Sequence, residues 1–342
     1  MSMLPSETDL SSAAGASALW RHNRATLVRE LAQGCTVVQG MPTHMKIELT
    51  NFCNLACPMC PHPQMQRAVG TMRPALFRKI IDESAPHLEF AYLHHLGESL
   101  VVRRIGEFIR YGRSRGVAMG LSTNATFLDA TRSRLLLESG LDFLVISLDA
   151  ASAATYQHVR VGGDFATTLA NTQRFFALKQ QIENHTTVVV QMIVMEENRH
   201  EIEAFAQTWQ GHVMIKEVRD WAGQVPLRIT GPQRRHAQPP CRMPWTEITV
   251  LWDGTVVPCA NHFEKINVLG DLRTQSLREV WNGPAMQALR AAHLRDDVTR
   301  VRVCSTCSGH AMDEEDFVAV DQLSQRLRSY GRGDLTPKPG LS

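Results

Sequence analysis

Thr50-Asn51-Phe52-Cys53-Asn54-Leu55-Ala56-Cys57-Pro58-Met59-Cys60 follows directly on an alternating, strand-like run at 45–49. The three cysteines Cys53, Cys57 and Cys60 are spaced C-x3-C-x2-C on one short loop. C-x2-C alone is ambiguous, because zinc sites use it constantly. Three thiols on one loop with no fourth cysteine nearby suit a different centre. A [4Fe-4S] cluster has four irons, so three thiolates leave one iron open to a ligand that is not protein. A zinc knuckle, or cysteines that merely lie close together, is the plainer alternative.

Working outward, strand-like runs recur at 45–49, 88–93, 117–121, 143–148, 187–195 and 213–218. Helical patterns lie between them at 74–83, 105–114, 130–138, 165–181 and 199–209. Strands alternating with helices imply a parallel sheet covered by helices. Six strands are too few for a closed eight-stranded barrel, so an α/β fold of the partial (β/α)6 TIM type is expected, with function at the carboxyl ends of the strands. Pro239-Pro240 marks the boundary to a second, smaller unit. There, β-type runs at 246–252 and 255–257 flank Asp253-Gly254, a type I′ hairpin signal, and a helical segment spans 276–293. The expected domains are a 1–44 extension (disordered to 17, an amphipathic helix over 18–33), a 45–238 barrel, a 239–315 β-hairpin and helix unit, and a 316–342 helix with a mobile tail.

The chain has 342 residues, 44% hydrophobic and 20% charged, with formal net charge +2. That balance describes a globular protein and gives no nucleic-acid footprint; Arg234-Arg235-His236 reads as a solvated loop. No run approaches the ~20 apolar residues of a membrane helix, and residues 1–17 lack a signal pattern, so a cytoplasmic location away from membranes is expected. Eight cysteines in a reducing compartment point to metal rather than disulfides. Cys35 stands apart and reads as a structural thiol.

The loop, its position and the motifs downstream resemble the radical S-adenosylmethionine (SAM) superfamily. The resemblance implies that SAM chelates the open iron and that reduction releases a 5′-deoxyadenosyl radical. His94-His95-Leu96-Gly97-Glu98 resembles the segment whose backbone at Gly97 and carboxylate at Glu98 bind the SAM ammonium, with Leu96 in place of a glycine. Ser122-Thr123-Asn124-Ala125 resembles the turn that sets Ser122 and Asn124 near the ribose, with Ala125 again replacing glycine. Ser147-Leu148-Asp149 and Tyr156…Arg160 match another pattern. It implies Ser147 facing the methionine and Arg160 pairing with its carboxylate. Asp149 is either a cofactor contact or a helix N-cap. Met59 offers a soft apolar surface for adenine.

Cys241, Cys259, Cys304 and Cys307 form a second set, C-x17-C…C-x2-C, whose first pair brackets the hairpin. With Gly270-Asp271-Leu272 and Val280-Trp281-Asn282 between, this resembles the SPASM auxiliary-cluster domain in its shortened, twitch form. Four thiolates suffice for a second [4Fe-4S] cluster; they would also suit zinc. A cluster ligated wholly by protein serves as an electron acceptor. Hydrogen abstraction at an alcohol carbon leaves a ketyl radical, and loss of a proton and an electron gives a ketone.

The expected function is therefore a radical SAM oxidoreductase acting on an alcohol of a sugar or aminocyclitol. Its expected partner is a flavodoxin or ferredoxin reductant. A peptide maturase is the alternative, although about 44 residues before the first strand are too few for a winged-helix peptide-recognition module. A radical epimerase is a third reading, with Cys35 as its one spare thiol, and a non-catalytic metal-stabilised module is a fourth. Lys216-Glu217-Val218-Arg219-Asp220-Trp221 ends the last barrel strand. Arg219 and Asp220 are the candidates for hydroxyl positioning and proton removal, with His94, His95 and His310 behind them.

Overall fold

The computed structural model describes residues 13–219, 221–227 and 241–307. Its strands are β1 (His44–Ile47), β2 (Phe90–Tyr92), β3 (Ala118–Thr123), β4 (Phe143–Ser147), β5 (Thr187–Val194), β6 (Val213–Glu217), β7 (Glu247–Val250), β8 (Thr255–Val257) and β9 (Gly270–Asp271). The helices are α1 (Ala13–Ala32), α2 (Pro74–Ser84), α3 (Ile105–Ser114), α4 (Ala130–Glu138), α5 (Ala153–Val159), α6 (Phe165–Gln181), α7 (Ile202–Thr208), α8 (Met243–Thr246), α9 (Leu277–Trp281) and α10 (Pro284–Leu294).

The strands form one unclosed sheet in the order β6-β5-β4-β3-β2-β1-β7-β8-β9. From β6 to β7 every pairing is parallel. β3 and β4 are buried at every position, because helices cover one face and the cavity side is walled in. This is the expected partial (β/α)6 barrel. Its helices start where local chemistry allows: Asp129, Ser152 and Asp164 each accept a backbone N–H of the following turn, and Pro74 opens α2.

Four details differ from the sequence reading. The second unit is no separate layer: β7 pairs in parallel with β1, in register from His44↔Glu247 to Ile47↔Val250, and so covers what would be an open sheet edge. The Asp253-Gly254 turn is not type I′, since only Gly254 has positive φ (92°). The Gly254 N–H donates to Leu251 O and the Leu251 N–H to Thr255 O, which makes a three-residue loop with glycine in the left-handed position. The 276–293 helix is two helices, broken at Gly283-Pro284, because proline has no N–H to continue a ladder and instead opens α10. Finally, α1 begins at Ala13, inside the stretch read as disordered. The 316–342 helix and tail, His310 and residues 1–12 lie outside the described residues.

The main core runs from Ile47, Leu49 and Phe77 to Trp245 and Trp281 of the second unit. Arg290 fastens this joint from α10, with Nε donating to Pro244 O (2.9 Å) and Nη1 to Thr36 O (2.8 Å). Among the described residues no helix is long and apolar enough to cross a membrane.

Candidate active site

The loop after β1 is pinned at its start. Thr50 bridges to Thr71, and Asn51 donates from Nδ2 to Ala68 O (2.9 Å) while accepting the Gly70 N–H (2.8 Å). The cysteines follow, and each sulfur faces a donor: Asn124 Nδ2 lies 3.9 Å from Cys53 Sγ, Arg160 Nη1 3.6 Å from Cys57 Sγ, and the His62 N–H 3.5 Å from Cys60 Sγ. Burial pushes the Cys53 thiol up to about 11, Cys60 to about 12, and Cys57 above its ordinary value. Buried thiols stay protonated until a metal centre replaces the protons, and the donors are already placed to meet the thiolates. The donor set therefore fits an iron–sulfur cluster.

Gly97 has φ 84°, and a Cβ there would lie 2.6 Å from Thr50 O and 2.8 Å from Phe52 O. Glycine is needed at that one position, since the backbone passes against the cysteine loop and the Glu98 N–H donates to Phe52 O (2.7 Å). Glu98 is buried. Its carboxylate accepts from Thr123 Oγ1 (2.8 Å) and from the N–H groups of Leu100 (3.0 Å) and Asn124 (2.7 Å). Burial pushes its pKa up and these donors restrain it. Ser122 Oγ and Ser147 Oγ are 3.3 Å apart, and Gln191 Nε2 donates to Ser147 Oγ (3.3 Å).

Asp149 overturns both of its readings. It does not border the cavity, and the cap of α5 is Ser152. Held at φ 61°, it accepts the Ile193 N–H (2.6 Å) and ion-pairs with Arg160. Arg160 is thus engaged by Asp149 and Cys57, rather than presenting a whole free fork. Its Nε is buried without a partner among the described residues, and the guanidinium borders the cavity.

The second set is assembled from three separate segments. Cys241 precedes α8, Cys259 follows β8, and Cys304 and Cys307 sit on one 3₁₀ turn. Asn261 Nδ2 is 3.7 Å from Cys307 Sγ, and His262 Nε2 is 4.0 Å from Cys304 Sγ. The Ile266 carbonyl can only accept, so the 2.8 Å contact to it puts the His262 proton on Nδ1. Burial pushes Cys241 up to about 11, Cys304 to about 12, and Cys259 up strongly.

Both sets open on one cavity of about 860 Å³, bordered by all seven cysteines. Among the described residues no three His, Cys, Asp or Glu side chains close on a single-ion site. Met59, Gly97, Glu98, Ser122, Asn124, Ser147, Arg160 and Arg219 border it as well, with His94 and His95; His310 lies outside the described residues. Asp149 stands behind Arg160, and Asp220 lies outside the described residues. Cys35 lies away from the cavity, half-buried, its carbonyl accepting from Trp245 Nε1 (2.9 Å).

Sequence reasoning missed the clasp between the two sets. Trp221, Ala222 and Gly223 are successively left-handed (φ 54°, 61° and 75°). Trp221 Nε1 donates to Met59 O (3.0 Å), Thr306 Oγ1 to Ala222 O (2.6 Å), and Gln224 Nε2 to Asn261 O (2.8 Å). His95 adds a second tie, its Nε2–H to Ala260 O (3.0 Å). Also missed were Lys46, Gln191 and Lys216, which border the cavity. Polar residues inside otherwise apolar strands of a sheet covered on both faces are the signal for such positions.

Two families match the chain: the radical SAM superfamily over residues 47–208, and the SPASM iron–sulfur cluster-binding domain over 241–308. Among curated proteins, a tungsten-containing aldehyde ferredoxin oxidoreductase cofactor-modifying protein from Pyrococcus furiosus is 25% identical over 289 residues, 70% of this chain and 80% of that protein. The S-adenosyl-L-methionine-dependent 2-deoxy-scyllo-inosamine dehydrogenase of Niallia circulans is 21% identical over 283 residues, 80% of this chain and 95% of its own length. Among solved structures, Streptococcus suis SuiB bound to precursor peptide SuiA aligns with TM-score 0.64 at 12% identity, covering 79% of this chain and 71% of that one. At that identity the likeness speaks to fold alone.

Proposed function

Since the chain belongs to the radical SAM superfamily and carries a SPASM-type domain, with SAM and two [4Fe-4S] clusters as its cofactors, we propose that it oxidises an alcohol carbon of a sugar- or cyclitol-like small molecule to a ketone. The observation that carries this reading is the single chamber onto which both cysteine sets open. When bound, the two clusters and SAM supply a radical that removes a hydrogen atom and an acceptor for the second electron. The chain's own residues do the rest. Glu98 offers a fixed carboxylate to the SAM ammonium, and the Arg160 guanidinium at the cavity wall would attract the methionine carboxylate. Asn124, Ser122 and Ser147 supply polar contacts for ribose and methionine, and Met59 an apolar face for adenine. Arg219 positions the substrate hydroxyl, and its neighbour Asp220 takes the proton.

The place of Cys35, away from the cavity, supports oxidation over epimerisation, which needs a donor thiol at the substrate. A peptide whose side chain enters the chamber is the second reading, supported by the fold likeness to SuiB. Reduction by a flavodoxin or ferredoxin is part of the proposal.

The test is turnover of alcohols deuterated at the carbinol carbon by anaerobically reconstituted protein. The expected result is one deuterated 5′-deoxyadenosine per ketone formed. A product isomeric with its substrate, or one carrying solvent deuterium at carbon, would overturn the oxidation.

A further inference from the structure

Most charges around the chamber are matched. Lys46 on β1 is ion-paired with Glu247 on β7, Arg160 with Asp149, and Glu217 with Arg199. Glu98 holds its three donors. Lys216, the fourth residue of β6, differs. Its side chain is exposed into the chamber and makes no hydrogen bond or ion pair with any described residue. The charged groups acting on it are of its own sign: Arg219 beyond the end of β6 and Lys46 from β1. On β5 its register partner is Ile193, which carries no charge. β1 and β6 stand at opposite ends of the six-stranded arc, yet Lys46 and Lys216 border the same chamber because the sheet curls around it.

We propose that Lys216 is the recognition point for an anionic group of the substrate, a carboxylate or a phosphate. Lys46 already has its counter-charge in Glu247, whereas the Lys216 ammonium has no anion paired with it among the described residues, and an anionic ligand would supply one. The same arrangement repels an amine, so it selects by repulsion as well as attraction. The inference rests on the chamber being the substrate site, and it sharpens that reading: the sugar-like molecule is an acid rather than an aminocyclitol.

Protonation of Lys216 supports the proposal. Although its side chain is accessible from the chamber, the protein walls around it displace bulk water, and this, then Arg219 and Lys46, lowers its pKa to about 8. An anion beside it favours the charged form and raises that pKa. Between the free and the bound pKa, binding therefore takes up a proton; well below 8 it takes up none.

The experiment is isothermal titration of inorganic phosphate, and separately of acetate, into the reconstituted protein saturated with SAM. Each is run in two buffers of different ionisation enthalpy at pH 6.5 and 8.5. Saturating SAM keeps its own carboxylate from being mistaken for the ligand's. For acetate, which stays ionised throughout, proton uptake is expected at pH 8.5 and not at 6.5; phosphate, which itself titrates near pH 7, is read for affinity alone. Lys216→Met should weaken anion binding by about ten- to a hundred-fold, the worth of one charge-assisted contact, and remove the uptake. Lys216→Arg should bind within a few-fold of wild type without uptake at pH 8.5, which separates a charge role from a folding defect. Tighter binding of phosphate than of acetate identifies a phosphate ligand, and the reverse order a carboxylate. Anion binding unchanged in Lys216→Met, no binding to wild type, or tighter binding of 2-aminoethanol than of either anion would overturn the proposal. No turnover is read, so failure here is separable from failure of the oxidation itself.

Discussion

The two cysteine sets reach one chamber by opposite routes. The first is local in its thiols: eight residues, 53–60, carry all three, although the N–H groups facing the sulfurs come from Asn124, Arg160 and the adjacent His62. The second is non-local: its four thiols come from segments as far apart as 241 and 307, and they meet only because β7 and β8 extend the barrel sheet beyond β1. The first set has one thiolate too few for a cluster, which leaves an iron for SAM; the second has a full complement. The lesson is a division of labour set by ligand count, within one sheet and one cavity.

Removing either set breaks the comparison most severely. Protein with Cys53, Cys57 and Cys60 all changed to Ala should fall from about eight irons to about four and lose SAM cleavage altogether. Removing Cys304 and Cys307 should also leave about four irons but spare SAM cleavage while blocking ketone formation. Iron analysis with 5′-deoxyadenosine and product assays reads both. If the second pair of changes abolished SAM cleavage in a folded protein, the division of labour would be wrong.

Next come the groups around SAM. Glu98→Ala and Arg160→Ala each remove a charge-assisted contact worth roughly 1.5–3 kcal/mol, so SAM affinity should fall by about ten- to a hundred-fold. Asp149→Ala should weaken SAM through Arg160 and, by leaving a buried guanidinium uncompensated, cost about 3–5 kcal/mol in chemical unfolding. Loss of SAM affinity without loss of stability would place Asp149 in direct contact with SAM after all. Gly97→Ala should cost about 1–3 kcal/mol from its positive φ alone, plus the clash with Thr50 O, and should loosen the cysteine loop against Glu98. The smallest effect is expected at Ala125, held at φ 60°. Ala125→Gly should raise the unfolding free energy by up to about 1 kcal/mol, and a loss instead would mean that the methyl's packing outweighs the strain.

The parallel barrel was legible because its strands are apolar runs bounded by helical periodicity, and the boundaries of α3, α4 and α6 fall where the pattern ends. The two cysteine sets stood out because thiols at fixed spacing have few uses besides metal binding, and the structure brings all seven to one cavity. Asp149 was misread because sequence shows that a carboxylate follows a strand, not which of two cations or N–H groups it will meet. The joining of β7 to β1 is a pairing across some 200 residues, with no local trace beyond two compatible apolar strands. The clasp at Trp221–Gly223 was hidden for a related reason: left-handed backbone at Trp221 and Ala222 runs against their own preferences and is imposed by Met59, Asn261 and Thr306.

The central claim is that SAM meets iron only at the Cys53–Cys57–Cys60 set. It is tested most directly by electron–nuclear double resonance on the reduced protein with SAM labelled by ¹⁵N at its amino group and ¹⁷O at its carboxylate. Hyperfine coupling to both labels is expected in wild type and in the Cys304/Cys307 variant, and none in the variant lacking the three loop cysteines. Coupling that survives loss of the loop cysteines, or vanishes with Cys304 and Cys307 in a folded protein, would contradict the account.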